Sequence, residues 1–136
     1  MNPIIVAHFD SIEDWLLLSS VVADYKIIRR EIAPSDGKIR LKVTFVDGSL
    51  AELFEYVIVT ESGLNLSKYS FHWQDMEGKL KCRWDNAPHH PELPNAPHHK
   101  HNADQTVIGI SKVLDLLDIL KEIEKTLPSK KDPSKL

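Results

Sequence analysis

Cysteine is almost missing from this chain: Cys82 is the single one in 136 residues. An internal disulfide and a paired-thiolate metal site are therefore both excluded, and a reducing compartment is expected. No apolar run approaches the roughly 20 residues needed to cross a bilayer, and the segment from Met1 to Ala7 lacks the basic start and cleavage pattern of a signal peptide. The sequence thus reads as cytoplasmic, with no membrane partner. Positive charge is not in excess either. Seventeen Lys and Arg stand against twenty Asp and Glu, a formal net charge of -3, which argues against a general nucleic-acid coat. There is no G-x-S-x-G elbow, no phosphate-binding P-loop and no H-E-x-x-H pair. What remains is an ordinary globular composition, 42% hydrophobic and 27% charged, sufficient for a single core.

The expected organisation is one α+β domain over 1–128 and a flexible Lys-rich tail over 129–136. Ser11 with Asp14 forms a capping-box pattern, and Ile12, Trp15, Leu16 and Leu18 follow at helical spacing, which predicts a short helix over 11–20. Strand periodicity follows, punctuated by Asp36-Gly37, Asp47-Gly48 and Glu77-Gly78. Each is a hairpin signal, because its glycine accepts a positive φ. The prediction is a five-stranded antiparallel meander over 24–34, 38–46, 49–61, 68–75 and 80–86, with 63–67 as a looser connection. Val113, Leu116, Leu120, Ile123 and Leu127 then recur at helical spacing until Pro128, so a C-terminal helix should pack on the sheet.

Two-residue turns fix a register. Through Glu77-Gly78, Trp73 faces Cys82, His72 faces Arg83, Phe71 faces Trp84 and Ser70 faces Asp85. Tyr69, Phe71, Trp73, Leu80, Cys82 and Trp84 then share one side, and His72, Gln74, Lys81, Arg83 and Asp85 share the other. Either this polar side is a solvated face or it is a platform for chemistry. Through Asp36-Gly37 and Asp47-Gly48, Arg30, Val43 and Glu52 fall in one row beside Ile28, Phe45, Leu50 and Phe54. Two charges among apolar neighbours imply a structural pair, a desolvated catalytic pair, or a bulge that moves one of them out.

The segment from Trp84 to His101 is the most unusual. His89, His90, His98, His99 and His101 are five of the seven histidines, and Pro88, Pro91, Pro94 and Pro97 are four of the eight prolines. Asn-Ala-Pro-His-His occurs twice, and prolines recur every third residue, the polyproline II period. As polyproline II, His89, Glu92, Asn95, His98 and His101 would share an edge. Between Lys79 and His101, Lys79, Lys81, Arg83 and Lys100 outnumber Asp85 and Glu92, so a local basic patch is available. Two chemistries fit. Histidines flanking a phosphodiester can take the ribose 2'-OH proton and protonate the leaving oxygen near neutral pH, with Arg83 or Lys100 steadying phosphoryl charge. Alternatively His99 and His101, an H-x-H pair, with His89 or His90 and Asp85 offer an N/O set for a divalent ion.

The runs Tyr69-Ser70-Phe71-His72-Trp73-Gln74, Arg83 to Glu92 and Pro97-His98-His99-Lys100-His101 resemble the TumE-type proteins, toxins of prokaryotic toxin–antitoxin modules. The resemblance covers about a third of the chain. It implies a small toxin held by a cognate antitoxin, usually a helix-turn-helix protein. The order of elements is also similar to the RelE and barnase-like ribonuclease plan. The combined reading is a metal-independent ribonuclease acting on RNA without a cofactor. Its catalytic candidates are His72, Arg83, Asp85, His89, His90, His98, His99 and His101. Trp73, Trp84 and Lys100 are candidates for substrate binding. The alternative is a non-enzymatic metal- or protein-binding module built on the His/Pro loop.

Overall fold

The computed structural model describes residues 1–128; the predicted Lys-rich tail lies outside the described residues. Helix α1 (Pro3–Leu18) leads into strands β1 (Val22–Ile32), β2 (Asp36–Phe45), β3 (Leu50–Thr60), β4 (Gly63–Gln74), β5 (Leu80–Asp85), β6 (His99–Asn102) and β7 (Val107–Gly109), and helix α2 (Leu116–Thr126) follows. All seven strands form one antiparallel sheet in sequential order. The α+β class is as expected, but the five-stranded meander is overturned by two further strands inside and beyond the histidine segment. The β6–β7 hairpin carries no glycine signal. Gln105 instead supplies the left-handed residue, at φ 73°, a conformation in which glycine usually signals a hairpin.

Helix α1 starts much earlier than the pattern at Ser11 indicates. Asn2 is its N-cap and accepts from the Ile4 and Ile5 N–H groups, with Pro3 opening the helix. Ser11 sits mid-helix and donates back to the Ala7 carbonyl. Ile5, Phe9, Ile12 and Leu16 form the buried stripe of α1, and Leu116, Ile119, Leu120 and Ile123 that of α2. Asp115 and Asp118 form the capping box of α2. Both stripes pack against one sheet face, where Ile39, Leu41, Val43, Phe45, Leu53, Phe71, Trp73, Cys82 and Trp84 are buried. Among the described residues, no helix covers the opposite face, which carries the site.

The turns explain which register expectations hold. Asp36-Gly37 is not the first turn: Ile32 already pairs with Gly37, and Ala33, Pro34 and Ser35 make the connection. Gly37 has a packing reason instead, since a Cβ there would stand 2.7 Å from Ile5 and 3.2 Å from Phe9. Asp47-Gly48 and Glu77-Gly78 belong to three-residue loops closed by Gly48 N–H to Phe45 O and Gly78 N–H to Asp75 O, with glycine φ values of 84° and 87°. The extra residue at Asp47-Gly48 slips the register by one, so Val43 pairs with Ala51 and Glu52 faces outward. Arg30 and Glu52 are therefore not partners. After a bulge between Ile27 and Arg29, Arg30 reaches Asp10 and Glu13 of α1, while Glu52 pairs with Arg40. Ile28 and Leu50 are exposed accordingly.

At Glu77-Gly78 a second bulge, between Trp73 and Gln74, cancels the slip. His72 does face Arg83, Ser70 does face Asp85, and Phe71 does face Trp84. Next to the bulge the expected faces fail: Gln74 pairs with Leu80 instead of Lys81, and Lys81 lies over the Trp73 ring at 4.2 Å rather than on the polar side. The looser connection at 63–67 is strand, since Gly63 already pairs with Thr60.

Candidate functional site

Antiparallel pairing aligns the open face into rows that cross the sheet. One runs Lys26, Lys42, Glu52, His72, Arg83, His101; the next runs Arg29, Arg40, Phe54, Ser70, Asp85, His99. Period-two alternation in β6 sets His99 and His101 on one face and turns Lys100 away to the other. Lys100 accordingly lies over Trp84, on the helix side.

Asp85, only 6% exposed, is the hub. It accepts from Arg83 Nε at 3.0 Å and the Ala87 N–H at 3.0 Å, and its Oδ1 lies 2.9 Å from His99 Nε2. His101 Nε2 is 3.8 Å from Oδ2. The other nitrogen of buried His99 lies 2.8 Å from the Pro97 carbonyl, an acceptor only, so Nδ1 carries a proton and the ring cannot turn. Arg83 also donates to Ser70 Oγ at 2.9 Å and lies 3.5 Å from His72 Nδ1. Through these contacts one guanidinium ties β4 to the carboxylate.

His90 completes the cluster from the Pro-rich loop. Its ring centroid is 5.0 Å from that of His99 and 5.8 Å from that of His101, and His99 and His101 are 4.9 Å apart. One ligand nitrogen from each of the three lies within 4.8 Å of the others. The pKa of His101 is lowered, first by burial and then by the nearby His99, His90 and Arg83, against the opposing pull of Asp85.

The loop reaches this arrangement through turns and not as polyproline II. Leu93, Ala96 and His98 donate their N–H groups to the carbonyls of His90, Leu93 and Asn95, whereas polyproline II has no internal hydrogen bonds. The shared edge of His89, Glu92, Asn95, His98 and His101 therefore does not form. His89 is exposed, outside the cluster. His98 sits on the helix side, with Nδ1 3.0 Å from the Tyr69 hydroxyl and its ring stacked on Tyr69 at 5.8 Å. Burial, and then Asp85, push the Tyr69 hydroxyl up to about 12. Trp73 and Trp84 are each 7% exposed on that same side, which leaves no open ring face for a base. Cys82 is buried with its thiol pushed up to about 11, first by burial, as suits an inert core residue.

Sequence reasoning missed Glu55, which is fully buried at the centre of β3. Glu55 Oε1 lies 2.5 Å from His8 Nε2, and Oε2 accepts the Leu116 N–H at 3.0 Å, so one carboxylate joins both helices to the sheet. Its signal was weak, because each alternating phase of β3 holds apolar residues and one glutamate.

Among the described residues, no helix is long and apolar enough to cross a membrane. Comparison with curated proteins and with solved structures finds no match. A family model described as Toxin TumE matches residues 12–127, a span that takes in the end of α1, the whole sheet, the histidine centre and α2. The chain belongs to the TumE toxin family.

Proposed function

We propose that this chain is the toxin of a toxin–antitoxin pair, that it acts in the cytoplasm by cleaving RNA, and that a helix-turn-helix antitoxin restrains it. The carrying observation is the convergence of His90, His99 and His101 on one another, with Asp85 beside Arg83 facing His99 and His101. His101, whose burial favours the neutral imidazole, takes the proton of a ribose 2'-OH. The 2'-oxygen bonds to phosphorus, the P–O5' bond breaks, and His90 supplies the proton that the departing 5'-oxygen needs. With ring centroids 5.8 Å apart, both imidazoles can reach one phosphodiester seated beside them. Asp85 and the Pro97 carbonyl hold His99 in place, and Arg83 faces the phosphoryl oxygens. Products would be a 2',3'-cyclic phosphate and a 5'-hydroxyl end.

The test is incubation of the purified chain with RNA in excess chelator. Cleavage to cyclic-phosphate ends, with losses on the order of 10²-fold or more for His101→Ala and for His90→Ala, supports the reading. Full activity after each replacement refutes it. One specific observation favours a second reading, a divalent metal centre: three ligand nitrogens lie within 4.8 Å of one another, and His99 Nδ1 is engaged by a carbonyl, the usual orienting contact of a metal-binding histidine. Under it, cleavage stops in chelator and returns with added zinc, or metal binds stoichiometrically with no cleavage at all.

A further inference from the structure

The rows that end at His101, next to Arg83, and at His99 begin on the far side of the sheet with Lys26, Lys42, Arg29 and Arg40. We propose that the uncovered sheet face is a track for single-stranded RNA, leading from β1 across β3 into the histidine centre. The inference rests on the ribonuclease reading and names the surface by which its substrate is held.

Three features support it. From β1 to β6 is five strand spacings, about 24 Å at roughly 4.8 Å each, so several nucleotides fit between the first lysine and His101. The β1–β2 half of the face carries Lys26, Arg29, Lys38, Arg40 and Lys42 against Asp24, Glu31 and Asp36, a local excess of cations in a chain of net charge -3. Acids gather on the helix side instead: α1 holds Asp10, Glu13 and Asp14 with no Lys or Arg. Rings back two of the cations. Arg40 lies 4.6 Å over Phe54 and Lys38 lies 5.3 Å over Tyr56.

A guanidinium plane resting on an aromatic ring stacks a base and still donates to phosphate, the combination that sequence-tolerant single-strand binding uses. Of the carboxylates on this face, Glu31 and Glu52 pair with Arg29 and Arg40, and Asp36 accepts from the Tyr56 hydroxyl. Both ion pairs are exposed, so phosphates can displace them at little cost. An acidic antitoxin segment would meet the same cations. The rings and the continuity with the centre favour RNA.

The test uses a labelled 2'-O-methyl RNA 10-mer, which lacks the attacking hydroxyl and cannot be cleaved, in anisotropy titrations at two salt concentrations. The triple variant Lys26→Gln, Arg40→Gln, Lys42→Gln should bind at least tenfold more weakly. Its log–log salt slope should be shallower by about 2, since each phosphate contact on a single strand contributes about 0.7. Phe54→Ala should cost about tenfold with little change in slope. Lys121→Gln with Lys125→Gln, on the helix side, should bind as the parent does. Unchanged circular dichroism keeps these comparisons valid, and Lys42→Arg should restore most of the loss caused by Lys42→Gln. If the triple variant binds RNA like the parent and loses only antitoxin capture, the track is wrong and the ribonuclease reading stands. If the parent binds through these cations yet cleaves no RNA, the track stands and the ribonuclease reading falls.

Discussion

Replacing Glu55 should destabilise the protein in a pH-dependent way. The carboxylate is fully buried, faces His8 Nε2 at 2.5 Å and accepts the Leu116 N–H at 3.0 Å. Burial lowers the pKa of His8, but the hydrogen bond and charge of Glu55, with smaller help from Asp115 and Asp118, outweigh it, and the net shift is upward. A histidine raised in the fold contributes stability that is fully present below its unfolded pKa of about 6.5 and is lost as pH rises through the folded value. In Glu55→Leu at pH 5.5, a buried imidazolium and an N–H lose their acceptor together, so about 3–5 kcal/mol should be lost. At pH 9 the imidazole of the variant, buried and without the Glu55 charge that raised it, is neutral and the orphaned N–H dominates, which leaves about 1–3 kcal/mol. Glu55→Gln keeps an acceptor for Leu116 and can donate to neutral His8, so its cost should shrink to below about 1 kcal/mol at pH 9. Asp115 is pushed up too, by burial first and then by the Glu55 charge, and adds a dependence of the same sign. A double-mutant cycle with His8→Phe separates the two. Urea unfolding followed by tryptophan fluorescence at both pH values measures the effect. Equal losses at pH 5.5 and 9, or no coupling in the cycle, would refute the reasoning.

Three further outcomes follow from the packing. A Cβ at Gly109 would overlap the Pro94 carbonyl oxygen, so Gly109→Ala should push the Pro-rich loop off β7. His90 should then leave the other two histidines: RNA cleavage, measured with purified protein, should fall at least tenfold while far-ultraviolet circular dichroism stays unchanged. His98→Ala, which breaks a contact with Tyr69 on the helix side, should cost about 1 kcal/mol in denaturant unfolding and little in growth arrest, whereas His101→Ala should do the reverse. Gly37→Ala should lower stability by about 1–3 kcal/mol in the same unfolding assay, because the new methyl meets Ile5 and Phe9, and it should leave RNA binding intact.

Local sequence decided the class of each long element and the concentration of chemistry in one segment. The apolar stripe of α2 and the H-x-H spacing of His99 and His101 are period effects, and a period is readable without partners. The pairing of His72 with Arg83 was also legible, though only because the longer loop at Glu77-Gly78 and the bulge beside Trp73 offset each other. Where no bulge compensated, at Asp47-Gly48, a slip of one residue exchanged the faces of β3, sending Glu52 out and Glu55 into the core. Tertiary structure alone could settle that choice, since both phases of β3 are equally apolar and only docking of α1 and α2 gives a buried carboxylate its two partners. The same holds for the histidines. Five imidazoles close together in sequence can be sorted only by what the chain folds against: β6 pairing turns His99 and His101 toward Asp85, the turns of the loop bring His90 to them, and Tyr69 draws His98 to the opposite face.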